Sequence, residues 1–101
     1  KEAEEFIRRA LKESPDSPAY QDSLAWVYYR RGEFKKALEW QLKALKNSEE
    51  PDPEILLHLG QIYGALKDKV NARKYLNEAS KIEDTEEDVK AKIQKKLKEL
   101  D

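Results

Sequence analysis

The sequence predicts an all-α fold of about six helices arranged as antiparallel pairs, and three observations lead to that prediction. Glycine and proline are rare, with 3 and 4 residues respectively among 101, and they separate long runs rich in Ala, Leu, Lys and Glu, which favour helices. The strand pattern of β-branched residues alternating with polar ones is missing. The segment Leu24-Ala25-x-x-Tyr28 also recurs 35 residues later as Leu59-Gly60-x-x-Tyr63, and such a period is typical of stacked helix pairs.

The first two helices are bounded by proline and glycine. The first is predicted over 2–13, because the residue before Pro15 is disfavoured in helical backbone. The second is predicted over 18–31, behind Ser17 as N-cap and with a proline at its first position. It ends at Gly32, which suits a left-handed C-terminal cap.

The next three helices follow from similar signals. The third is predicted over 34–46, and a loop separates it from the fourth helix, predicted over 53–66. The fourth begins behind Asp52 as N-cap, and its first residue is again proline. After a tight turn at 67–68, the fifth helix is predicted over 70–82.

The last helix is predicted over 86–100, with Thr85 as N-cap and Asp88 three residues later in a capping-box-like start. Its opposite faces differ, since lysines lie opposite an apolar stripe formed by Val89, Ile93, Leu97 and Leu100. A helix that is apolar on one side only is suited to end a stack, so we interpret it as a solubilising C-terminal cap.

The two units resemble tetratricopeptide repeats, which carry W-x₂-L-G-x₂-Y in the first helix and A-x₃-F in the second. The residues that match are Leu24, Ala25, Tyr28, Ala37 and Ala44 in one unit, and Leu59, Gly60, Tyr63, Ala72 and Ala79 in the other. Pro15 lies where a proline closes the preceding unit, and Ala3 and Ala10 precede Ala37 and Ala44 by 34. The departures from the pattern are Gln21 and Leu56 for the tryptophan, Ala25 for the first glycine, Gln41 and Leu76 for the aromatic, and Asp84 for the last proline.

This resemblance implies a right-handed α-solenoid of antiparallel helix pairs within a single domain, 1–101. Residues 1–17 are then the second helix of a partial repeat, 18–52 and 53–84 are two repeats, and 85–101 is the capping helix. Because the chain begins inside an amphipathic helix, we interpret it as a C-terminal piece of a larger scaffold of the kind common in bacteria.

Composition argues against several classes of function. The net charge is −1, so no overall field attracts nucleic acid or anionic membrane. The chain has one histidine and no cysteine, and its carboxylates alternate with lysines on helix faces, so neither a catalytic constellation nor a metal or cofactor site is predicted. No apolar run is long enough for a membrane helix. We therefore expect a soluble, non-catalytic protein, cytoplasmic by default, whose targeting segment could lie upstream.

The resemblance implies that the first helix of each pair lines a concave groove. In this sequence the groove residues would be Asp22, Ser23, Trp26, Tyr29, Arg30, Leu57, His58 and Gln61. Aromatic and arginine side chains are the usual anchors of recognition surfaces. Some related co-chaperones clamp a peptide carboxylate with basic and amide side chains, but Asp22, Trp26 and His58 stand at the matching places, so we predict no binding through that clamp.

The leading prediction is a protein-interaction scaffold that binds a peptide segment of a partner in this groove. Trp26 could instead pack against the fourth helix, and Trp40 is expected to cover the seam to the first helix near Phe6 and Ile7. A structural or self-associating role is an alternative, with homo-oligomers formed through the apolar side of the first helix. RNA binding and an idealised designed array are disfavoured by the charge balance and by the unequal spacings of 34 and 35.

Overall fold

The computed structural model describes residues 2–100, and these residues form six α-helices and no strand. The predicted all-α class is therefore confirmed. The helices are α1 (Glu2–Glu13), α2 (Pro18–Arg30), α3 (Phe34–Asn47), α4 (Pro53–Ala65), α5 (Lys69–Ser80) and α6 (Glu87–Leu100). The chain divides into two compact units, Lys1–Glu49 with α1 to α3 and Glu50–Asp101 with α4 to α6.

In the first unit, α2 and α3 form the main antiparallel pair and α1 packs against α2. The two paired helices approach closely because Ala25, Ala37 and Ala44 face the interior and are fully buried. Leu24, also fully buried, fills the space that these small residues leave. The alanine spacing in the sequence therefore marks the contact face of this pair.

The first unit also contains a polar seam between α2 and α3. The seam is built on Gln21 and Gln41, which are 2% and 0% exposed. The Gln41 amide nitrogen donates to Asp22 Oδ1 at 2.6 Å, and the Asn47 amide donates to Gln21 Oε1 at 3.1 Å. Gln21 in turn donates to the carbonyl of Pro15 at 2.9 Å, which ties the loop after α1 to α2. Buried amides are tolerated here because they are hydrogen-bonded across the helix pair.

In the second unit, α4 and α5 form the antiparallel pair and α6 packs against both. The interior is more apolar than in the first unit, with Leu59, Ile62 and Leu76 at 0%, 0% and 1% exposed. The predicted apolar stripe of α6 faces this interior, since Val89 and Ile93 are 6% and 1% exposed. Burial of such residues supplies most of the free energy that holds α6 on the pair.

The turns inside both helix pairs share one geometry. After α2, Gly32 has a φ of +81°, the Gly32 N–H donates to Tyr29 O, and the Glu33 N–H donates to Tyr28 O. This double hydrogen bond is the Schellman cap predicted for the glycine. The same two bonds follow α4, from Lys67 to Gly64 O and from Asp68 to Tyr63 O, with a φ of +68° at Lys67. Lys67 is thus a lysine in a position that favours glycine.

This difference predicts opposite effects of substitution at the two turns. Lys67→Gly is expected to raise the free energy of unfolding by about 0.5–1 kcal/mol. Left-handed backbone is strained for lysine because of its Cβ, and relief of this strain outweighs the extra conformational entropy that glycine gives the unfolded chain. Gly32→Ala is expected to lower it by a similar amount. Urea unfolding followed by circular dichroism measures both changes. A destabilising Lys67→Gly would contradict the left-handed turn.

Most predicted helix ends agree with the structure to within two residues. Ser17 and Asp52 accept hydrogen bonds from Tyr20 N and Glu54 N, so both predicted N-caps are confirmed. The predicted bounds of α6 differ by one residue, but Thr85 as its N-cap was wrong, because the helix begins at Glu87 and Glu86 precedes it. The buried Thr85 hydroxyl donates at 3.0 Å to the carbonyl of Ile82, across the turn at 83–84. Thr85 therefore closes that turn and does not cap α6.

Candidate interaction surface

The predicted groove residues of the first unit lie on one stripe of α2. Asp22, Trp26 and Arg30 are spaced by four residues, so they occupy successive turns of the same helix face. Trp26 is partly exposed and Arg30 is exposed. The opposite face of α2 carries the fully buried Leu24 and Ala25. The stripe borders the contact with α3, because Asp22 accepts a hydrogen bond from Gln41 of that helix.

Three aromatic rings are in contact beside this stripe. The Trp26 and Tyr29 rings are nearly parallel, with centroids 4.6 Å apart and an interplanar angle of 11°. Tyr29 also contacts Phe34 at the start of α3, with centroids 5.5 Å apart and an angle of 57°. All three side chains are partly exposed. Stacking fixes the rings relative to one another, so they present a preorganised apolar surface. We call Trp26, Tyr29 and Phe34 the aromatic platform.

The two polar residues at the start of the stripe are held by local hydrogen bonds. Asp22 accepts from the buried Gln41 amide at 2.6 Å, which orients its carboxylate. The Ser23 hydroxyl donates to the carbonyl of Ala19, one turn earlier, at 3.0 Å. Since this bond uses the only hydroxyl hydrogen, Ser23 can offer a ligand an acceptor but no donor unless the bond is broken. The sequence alone did not reveal either hydrogen bond.

In the second unit, the predicted site residues on α4 differ in accessibility. Leu57 is 3% exposed, so little of its side chain is available to a ligand. His58 and Gln61 are partly exposed and lie three residues apart on the same side of α4. The Gln61 Oε1 atom is buried and has no hydrogen-bond partner within residues 2–100. Since this oxygen is buried, only the exposed part of the Gln61 side chain is available to a ligand.

A charged network attaches α1 to α2 in the first unit. Arg8 donates to Glu4 at 2.9 Å and also to the hydroxyl of the buried Tyr28, while Arg31 at the end of α2 donates to the same Glu4 carboxylate. Hydrogen bonds from Arg8 and then Arg31 lower the pKa of Glu4 below its ordinary value of 4.5. The bond to Glu4 raises the pKa of Arg8. The network therefore depends on an ionised Glu4.

The lowered pKa of Glu4 predicts a pH-dependent stability. A carboxylate whose pKa is lower in the folded than in the unfolded chain contributes stability above its unfolded value, near 4.5, and this contribution disappears as the pH falls through the folded pKa. Glu4→Gln is thus expected to destabilise the first unit at pH 7 and to have a progressively smaller effect as the pH falls below 4.5.

Urea unfolding measured by tryptophan fluorescence suits this test, because Trp26 and Trp40 both belong to the first unit. Glu5→Gln is the matched control, since Glu5 is exposed and forms no ion pair within residues 2–100. An effect of Glu4→Gln that does not shrink as the pH falls, or that is no larger than that of Glu5→Gln, would contradict the network.

Burial also perturbs a tyrosine of the second unit. Tyr63 and Tyr75 stack with centroids 5.6 Å apart and an interplanar angle of 4°. Desolvation, followed by the proximity of Tyr75 and Asp68, raises the pKa of Tyr63. Asp68 itself has a lowered pKa because the side chain and backbone N–H of Asn71 donate to it at the start of α5. Asp68 thus caps α5, and Tyr63 packs against Tyr75. Within residues 2–100, neither residue is paired with a group that could act as a nucleophile or its base.

Two clefts of the first unit were not foreseen from the sequence. One, of about 300 Å³, lies between α1 and the start of α2 and is lined by Phe6, Arg9, Ala10, Glu13, Ser14 and Tyr20. The other, of about 260 Å³, is lined by Arg8, Leu11, Lys12, Leu24 and Trp40. Trp40 thus faces α1 near Leu11, whereas the expectation placed it near Phe6 and Ile7. Clefts depend on how helices pack, and the helical periodicity of a sequence does not specify them.

Across residues 2–100, no group of three or more histidine and acidic side chains is arranged to hold a metal ion. Among the six helices, none combines the length and the apolar character needed to cross a bilayer.

Comparison with known proteins provides independent evidence on the family. Residues 1–79 match the family model described as "Anaphase-promoting complex, cyclosome, subunit 3", a family of tetratricopeptide-type repeats. The chain is also 42% identical, over 60 residues, to the "TPR repeat-containing protein PA4667" of Pseudomonas aeruginosa. The aligned segment is 59% of this chain but only 10% of the length of that relative. Together with the two matching helix pairs, these similarities show that the chain belongs to the tetratricopeptide repeat family.

Proposed function

We propose that the chain is a non-catalytic protein-interaction scaffold that binds a peptide segment of a partner protein in the concave groove implied by its family. Membership of the family supports the general role in protein–protein interaction. The choice of site is supported by the aromatic platform, because its three rings are partly exposed, Trp26 and Tyr29 are stacked on α2, and Phe34 of α3 contacts Tyr29. This is the observation that carries the proposal.

In this proposal, Trp26 and Tyr29 supply the apolar contact and the exposed Arg30 supplies a donor for backbone carbonyls or a carboxylate of the peptide. For the second unit, taken by itself, His58 and Gln61 are proposed as polar contact residues. Asp22 and Ser23 are proposed to orient the peptide through acceptor groups. Leu57 has little exposed area, so it is proposed to hold α4 in place by packing and not to contact the peptide directly.

A peptide-library selection against the whole chain tests the proposal. We expect wild type to enrich a family of related peptides and the Trp26→Ala variant to fail to enrich them. Trp40→Ala is the matched control, because it removes the same side chain from the same unit at a different surface. If Trp26→Ala retains the peptides while Trp40→Ala loses them, the proposed site is wrong.

A second candidate is a structural or self-associating segment of a longer array. Phe6 favours it, because this side chain on α1 is 68% exposed and lines the 300 Å³ cleft. The aligned segment spans only 10% of the length of the curated relative. In this second candidate role, a neighbouring repeat or a second copy of the chain covers the face of α1 that carries Phe6. Analytical ultracentrifugation of wild type and Phe6→Glu distinguishes the roles: a concentration-dependent dimer lost in the variant supports self-association, and a monomer at all concentrations contradicts it.

A further inference from the structure

The cleft beside Trp40 combines an apolar floor with an aromatic wall. We call its lining residues, Arg8, Leu11, Lys12, Leu24 and Trp40, the Trp40 cleft. Leu11 and Leu24 are 9% and 0% exposed, so the floor is continuous with the core of the first unit. The Trp40 ring, which is partly exposed, forms one side. An apolar concavity of this kind gains free energy when an apolar ligand replaces its water.

Arg8 and Lys12 are the basic residues that line this cleft, and Lys43 is close to it through its contact with the Trp40 ring. Lys43 lies over the Trp40 ring, with its ammonium nitrogen 4.2 Å from the ring centroid. Lys12 and Lys43 form no ion pair with any residue of 2–100. Arg8 is held in place by Glu4 and Tyr28. The Glu4 carboxylate forms ion pairs with Arg8 and Arg31. It therefore does not neutralise Lys12 or Lys43.

The size of the cleft restricts what it can hold. At about 260 Å³ it lies just below the range of about 300–1,000 Å³ typical of sites for drug-sized ligands. A bicyclic ring or a short alkyl chain fits that volume, whereas a helix of a partner protein or a full lipid does not. The ammonium groups of Lys12 and Lys43, which form no ion pair within residues 2–100, complement a single negative charge.

We propose that the Trp40 cleft binds a small organic acid, with its flat or short apolar body against Leu11 and Trp40 and its carboxylate near Lys12 and Lys43. This site shares no residue with the aromatic platform. It is therefore independent of the proposed peptide groove and can be occupied whether or not a peptide is bound.

The test is a titration of the whole ¹⁵N-labelled chain with 2-naphthoate, and 2-naphthalenemethanol serves as the neutral analogue. The chain has two tryptophans, so its ¹H–¹⁵N spectrum contains two indole N–H signals, and the Trp26→Phe variant identifies that of Trp40. We expect a saturable shift of the Trp40 signal with a Kd of about 0.1–1 mM and no shift of the Trp26 signal. We also expect the alcohol to bind at least about threefold more weakly.

Charge variants distinguish a site that recognises the carboxylate from a cleft that binds any apolar molecule. The double variant Lys12→Gln/Lys43→Gln is expected to weaken naphthoate binding by roughly 3–10-fold and to leave the alcohol unaffected. The matched control is Lys35→Gln/Lys46→Gln, which removes two exposed lysines from the same unit and should preserve the affinity for naphthoate. The proposal is overturned if the Trp40 signal does not shift saturably, if acid and alcohol bind equally, or if both double variants behave alike.

Discussion

Replacing Gly60 with alanine is expected to destabilise the second unit by about 1–2 kcal/mol, although alanine is the better helix former. A Cβ built on Gly60 would lie 2.5 Å from Cγ and 2.7 Å from Cδ2 of Leu76, distances that real Cβ atoms do not show. Leu76 is 1% exposed and cannot move aside without disturbing its neighbours. Overpacking costs about 1–3 kcal/mol, and the gain in helix propensity of about 1 kcal/mol offsets part of it.

Gly64, one turn later on the same helix, is the control for this prediction. A Cβ built there meets nothing within 4 Å, so Gly64→Ala is expected to stabilise the unit by up to about 1 kcal/mol. Two glycine-to-alanine changes four residues apart should thus have opposite signs. Urea unfolding followed by circular dichroism measures both. If both variants are stabilised, α4 and α5 do not approach as closely as described.

The contact partner of Gly60 can be tested in the same assay. Leu76→Ala alone is expected to cost about 2–5 kcal/mol, because it leaves a cavity in the core of the second unit. In that background, Gly60→Ala should become stabilising, since the side chain with which its Cβ collides has been removed. The reversal of sign is the sharper result, because a purely local effect on α4 would be the same in both backgrounds.

The second large effect is expected in binding. Once a peptide has been selected, Trp26→Ala should weaken its affinity by at least about 30-fold, since central aromatic anchors contribute about 2 kcal/mol or more. Tyr29→Ala should also weaken it, and the effects of the two substitutions should be non-additive, because the rings stack 4.6 Å apart. Fluorescence polarisation with a labelled peptide measures these affinities. Equal affinities for wild type and Trp26→Ala would contradict the role of the platform.

Local signals made much of the fold predictable. Ser17, Asp52 and Gly32 act through their own backbone and nearest neighbours, so a single sequence is enough to locate the helix ends that they define. At Lys67 the sequence predicts only a tight turn, because lysine has no preference for left-handed backbone. Its distance of 35 residues from Gly32 is the signal that could have identified it.

Packing between helices was less predictable. Gln41 stands where the family has an aromatic residue, and its burial beside Asp22 depends on the partner helix and not on its own neighbours in sequence. The position of Trp40 likewise depends on the angle between α1 and α3, which leaves a cleft beside the ring. For the proposed site, the sequence identified the stripe on α2, but the ring stacking, the bond that holds Ser23 and the burial of Leu57 required the structure.

The most direct test of the proposed function is a titration of the ¹⁵N-labelled chain with a selected peptide, read at the two tryptophan indole signals. One ring belongs to the aromatic platform and the other to the Trp40 cleft, so the spectrum contains its own control. Binding on the α2 stripe predicts a saturable shift of the Trp26 indole and of the Tyr29 and Arg30 amides, with the Trp40 indole unchanged. A saturable shift of the Trp40 indole, with the Trp26 indole unchanged, would contradict the proposed peptide site.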